Sequence, residues 1–169
     1  ETGGGISRFI LRQYRATAVS DSPLMNLFPD NIPVNGLLVG LSSKGVGVFE
    51  NEPFQANLDG DQLSLTDGTR EIVFSSTDES GLQIDKVYRF SADSYAIGFE
   101  VRLTNNTDQI LKDGLVVALR NAFPAKKNSQ AFEGPSALVN RSIEQISVDE
   151  IEKKGRLTGQ VSWVALESR

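Results

Sequence analysis

The run Tyr95-Ala96-Ile97-Gly98-Phe99-Glu100-Val101-Arg102-Leu103-Thr104 alternates without a fault: odd positions are large and apolar, even positions small or charged. A period of two over ten residues sends one set of side chains to a core and the other towards water, which is the signature of a half-buried antiparallel strand. Leu82-Gln83-Ile84-Asp85-Lys86-Val87-Tyr88-Arg89-Phe90 repeats the pattern, with Leu82, Ile84, Tyr88 and Phe90 on one face. Lys86 interrupts that face, and a strand near a sheet end would let its ammonium reach water along the stem. Ser91-Ala92-Asp93-Ser94, short and polar, reads as the hairpin turn between the two strands.

The same logic extends outwards. Leu63 to Thr66 and Arg70 to Ser75 flank Asp67-Gly68, a strong hairpin signal, and Thr77-Asp78-Glu79-Ser80-Gly81 supplies the next turn, so a four-strand meander is expected from about residue 62 to 104. Asn105-Asn106-Thr107-Asp108 closes it. Ile110 to Arg120 reads as a further strand, central because Leu115 to Leu119 is apolar on both faces. Leu37 to Leu41 and Val46 to Phe49 flank Ser42-Ser43-Lys44-Gly45 as another hairpin. Ile6 to Leu11 reads as an opening strand, and Val161 to Leu166 as a closing one. Residues 16–36, with Pro23, Pro29 and Pro33, form a long surface excursion. Residues 121–160 are irregular too, apart from one short helix over 147–155, where acidic residues open and Lys153-Lys154-Gly155 closes. Short strands divided by Gly, Asp and Asn turns predict an all-β fold, a sandwich of two packed, mostly antiparallel sheets with one short helix. The 169 residues are expected to form one domain, burying roughly 70% of the unfolded surface.

Composition excludes more than it assigns. The chain has no Cys and no His, which removes disulfides, thiolate nucleophiles, Cys/His zinc sites and His-based triads. A net charge of −5 argues against nucleic acid as a partner, because phosphate neutralisation dominates that affinity. No run approaches the ~20 apolar residues of a transmembrane helix. The opening Glu1-Thr2-Gly3-Gly4-Gly5 has no basic region followed by an apolar one, so it reads as a boundary within a longer protein rather than a signal peptide.

Few motifs suggest chemistry. Asp59-Gly60-Asp61 resembles part of a calcium loop, but Arg70 stands where the closing Glu would be, so a turn is preferred. Gly3-Gly4-Gly5 lacks the Lys-Ser/Thr pair of a phosphate cradle and reads as chain entry or a bulge. Asn105-Asn106-Thr107 and Asn140-Arg141-Ser142 match the glycosylation triplet, which is frequent by chance. Trp163 reads as core rather than as a sugar-stacking platform. No catalytic, cofactor or metal residue is assigned. For partner binding the irregular 121–160 stretch is the candidate, through Lys126, Lys127, Phe132, Glu150, Lys153 and Lys154.

Several segments together resemble the large periplasmic domain of the YidC family of bacterial inner-membrane protein insertases. Thr2-Gly3-Gly4-Gly5-Ile6-Ser7-Arg8-Phe9-Ile10-Leu11 resembles its first strand. Lys86-Val87-Tyr88-Arg89-Phe90, Ser94-Tyr95-Ala96-Ile97 and Val101-Arg102-Leu103-Thr104-Asn105 resemble its central hairpin. Phe132-Glu133-Gly134-Pro135, Lys153-Lys154-Gly155 and Ser162-Trp163-Val164-Ala165-Leu166 resemble the segment leading to its Trp-Val-Ala strand. The resemblance implies a β-supersandwich similar to the galactose mutarotase fold, on the periplasmic face of the inner membrane and attached through flanking transmembrane helices absent from this chain. It implies a non-enzymatic accessory role without cofactor, in contact with accessory subunits of the Sec translocon and with nascent membrane-protein substrates. The family's domain continues past the Trp strand, so residues 1–169 are expected to be its N-terminal major part, and missing strands would leave an open edge. The second reading is a carbohydrate- or peptide-binding envelope module. A mutarotase-type enzyme, which resembling folds run with a His acid and a Glu base, fails for want of any His.

Overall fold

The structure is a computed structural model that describes residues 2–28, 37–120, 132–154 and 156–167. It is all-β apart from one short helical segment, and its contacts divide it into two compact units, Glu1–Ala118 and Leu119–Arg169.

In the first unit, β1 (Ile10–Arg15) pairs antiparallel with β2 (Leu24–Asn26), and β3 (Leu37–Leu41) pairs with β8 (Leu115–Leu119). A four-stranded antiparallel sheet follows the sequence order: β4 (Gln55–Ala56), β5 (Thr69–Thr77), β6 (Leu82–Ser91) and β7 (Ser94–Asn105). The turns are made where Gly or Asx chemistry allows them. Asp78 accepts bonds from the Ser80 and Leu82 amides and from the Ser80 hydroxyl, and Gly81 follows at φ 94°. Gly68 stands at φ 65° just before β5. The Asn105 carboxamide accepts from Thr107 and donates to the Gln109 carbonyl, so the first glycosylation triplet is a turn device.

The inner face of this sheet makes the core. Ile72 and Phe74 of β5 and Leu82, Ile84 and Tyr88 of β6 pack with Val39 and Leu41 of β3 and with Phe49 and Phe54 of the intervening loop. The odd residues Ile97, Phe99, Val101 and Leu103 of β7 pack against them, so the alternation points inwards as expected. Tyr95 departs from it: half exposed, it meets Tyr14 edge to face at 5.5 Å. On the outer face Arg89 reaches Glu71 at 2.8 Å and Glu100 at 2.5 Å, and Arg102 reaches Glu100 at 2.7 Å.

Four strand expectations are corrected. Leu63–Thr66 is not a strand; the sheet's fourth member is the short β4, so the hairpin-like Asp67-Gly68 merely leads into β5. Val46–Phe49 is a run of turns, because Gly40 and Gly45 approach so closely that a Cβ on Gly40 would sit 2.0 Å from the Gly45 carbonyl oxygen. β3 pairs instead with β8 across more than seventy residues, where Ser42 N–H donates to Gly114 O at 2.8 Å. β8 is not central either: among the described residues it has β3 as its sheet neighbour, and Leu115, Val117 and Leu119 are exposed. The opening strand begins at Ile10 rather than Ile6.

In the second unit, β9 (Gly134–Val139), β10 (Ser142–Gln145) and β11 (Val161–Glu167) form an antiparallel sheet ordered β10-β9-β11. A 3-10 turn (Val148–Glu150) runs into α1 (Ile151–Lys154), the expected short helix. β9 and β10 lie in the stretch expected to be irregular. Their two-residue turn is Asn140-Arg141, with φ 50° and 67°, the backbone of a type I′ hairpin without its usual glycine.

Candidate functional site

Two places stand out, one in each unit. In the second unit β9 is buried and its neighbours are not. Leu138 faces Ile143 on one side and Trp163 on the other, and those two are 64% and 42% exposed. Trp163 is therefore not a core residue, because β11 is paired to β9 along one edge and leaves the indole on an outer strand. A bulge between Val161 and Trp163 shifts the register there. Alternation puts Pro135, Ala137 and Val139 on the face opposite Leu138, where Leu119, Ala137, Val139, Ile146, Ile151 and Leu157 help to line a hollow of about 330 Å³. The hydroxyl of Ser136 is buried and has no hydrogen-bond partner among the described residues.

Of the six expected partner-binding residues, four fall among the described residues. Glu150 and Lys154 join as an i,i+4 pair at 3.2 Å, and Lys153 is exposed beside them on α1. Phe132 is half-buried, with its ring 3.2 Å from where a Cβ on Gly134 would stand. Lys126 and Lys127 lie outside the described residues. Asp59-Gly60-Asp61 forms exposed bends with Gly60 at φ 91°, and no group of three or more carboxylates converges among the described residues.

The second place is Lys86. Its side chain does not run out to water: it is 3% exposed, because β6 is an interior strand of the sheet. Nζ donates to the Gly3 carbonyl at 2.6 Å and lies 4.7 Å from the centre of the Phe54 ring. Burial pushes the amine down to about 8, against the pull of Glu50 in the other direction. Two separated signals pointed here, a lysine on an apolar face and an opening Gly run, but nothing local in the sequence joins them.

The described chain is thus built of antiparallel sheets, and among the described residues no helix is long and apolar enough to cross a membrane. Comparison with known proteins makes the class specific. The YidC periplasmic domain model matches residues 1–169, and the chain belongs to that family, on the periplasmic side of the bacterial inner membrane. Among curated relatives, the membrane protein insertase YidC of Syntrophus aciditrophicus is 28% identical over 99% of this chain, that of Pelobacter propionicus 29% over 92%, and that of Geobacter sulfurreducens 23% over 95%. The chain spans 29–31% of the length of these three proteins.

Proposed function

We propose that this chain is the non-enzymatic periplasmic part of a YidC-type insertase and acts as an accessory to membrane-protein insertion and folding, touching accessory subunits of the Sec translocon and emerging substrate. The family match over the whole chain carries this reading. The absence of any His or Cys and the exposed apolar residues of β10 and β11 support contact with macromolecules rather than small-molecule turnover. Lys126, Lys127, Phe132, Glu150, Lys153 and Lys154 are the proposed contact residues.

A photo-crosslinking amino acid placed at Lys153 or Ile143 in the full-length insertase tests the reading in native membranes. The expected result is a crosslink to translocon accessory subunits or to a nascent chain; crosslinks to lipid alone would sink it. The alternative, a carbohydrate-binding module, draws on the exposed indole of Trp163, and saturable sub-millimolar quenching of its fluorescence by sugars would favour that module instead.

A further inference from the structure

Lys86 stands on a face of the sheet made mostly of apolar side chains. Directly opposite on β5 and β7 stand Phe74 and Val101. Tyr88, two residues along the same face, is itself buried, with its phenol pushed up to about 12. The loop between β3 and β4 contributes the Phe54 ring and the carboxylate of Glu50. Burial outweighs Glu50 and lowers the amine to about 8, so it gives up its proton more readily than in water while staying charged at neutral pH.

What lysine supplies is a donor long enough to reach the chain's opening segment. Gly3 N–H donates to Glu52 O at 2.9 Å, and Thr2 bridges Pro53. Gly4 stands at φ 53°, and a Cβ there would come within 2.5 Å of the Phe54 ring. The Gly3 carbonyl, facing the sheet, has the Lys86 amine as its partner. Thr2–Gly4 belongs to none of the strands, so these contacts fix its path. We propose that Lys86 is a positioning residue: its amine clasps Thr2–Gly4 to the middle of the four-stranded sheet and sets that segment's course, while the sheet itself folds without it. The assignment is independent of the insertase reading.

Amide exchange followed by NMR on the 169-residue chain separates the clasp from ordinary core packing. In Lys86→Met the Gly3 amide is expected to exchange at least about tenfold faster, while amides of β5 to β7 keep their protection and the melting temperature does not fall. Unchanged Gly3 exchange overturns the proposal, and so does a joint loss of protection at Gly3 and across β6, which would make Lys86 plain core. Gly4→Ala attacks the clasp from the other side with the amine intact. It too is expected to free Gly3 and spare β6, and silence at Gly3 overturns the proposal.

Discussion

The two units use the same material, antiparallel strands with alternating side chains, to opposite ends. In the first, β6 has a neighbour on each side, and its inner face meets a second layer built from β3 and the loop that follows it, so Ile84 is 1% exposed and Phe54 2%. In the second, β9 also has a neighbour on each side and is itself largely buried, yet Ile143 of β10 and Trp163 of β11 stay open. The lesson is that pairing satisfies the backbone while only a second layer buries the side chains, and burial is where most of the free energy lies.

That contrast can be broken by experiment. Ile84→Ala removes a fully enclosed side chain and is expected to cost about 2–5 kcal/mol, whereas Val164→Ala on the exposed edge is expected to cost under ~1 kcal/mol. Chemical denaturation of both variants decides it, and similar losses would erase the distinction between the units. Gly40→Ala, whose Cβ would meet the Gly45 carbonyl oxygen at 2.0 Å, is expected to cost about 1–3 kcal/mol by the same assay.

The second unit should instead contain changes that help. Ser136→Ala deletes a buried hydroxyl with no partner among the described residues and is expected to add about 1 kcal/mol. Arg141→Gly relieves a left-handed backbone at φ 67° and is expected to add about 0.5–1 kcal/mol, read as a raised melting temperature. The smallest effect belongs to the outer face of the first unit. Hydrogen bonds from Arg102 and Arg89 hold the Glu100 carboxyl down to about 2, so its contribution is present above the ordinary carboxylate range and fades as pH falls towards 2. The group is exposed, so Glu100→Gln is expected to shift acid unfolding slightly and to lose even that effect in high salt.

Much of this was legible beforehand, and the failures have a common cause. The β6–β7 hairpin was readable because strong alternation flanks a two-residue polar turn. The β9–β10 hairpin was not, since Asn140-Arg141 adopts a turn whose usual sign is glycine, and the Asn140 carboxamide helps to hold it by accepting from the Gln160 amide. The apolarity of Leu115–Leu119 on both faces is usually a sign of burial, yet this strand lies beside β3 with alternate side chains open. At the candidate surface, the helix at 151–154 and its lysines were foreseeable, while the exposure of Trp163 was not, because a strand's pattern does not say whether it lies at an edge.

By itself the sequence determined which segments extend, where most turns fall, and that no imidazole or thiol is present for chemistry, since all three depend on residues close together in the chain or on composition alone. Only the tertiary structure decided that β3 lies beside β8 and that Lys86 meets Gly3 rather than water. Those partners are separated by more than seventy residues, and contact at that distance follows from how whole layers close over one another, which no local pattern records.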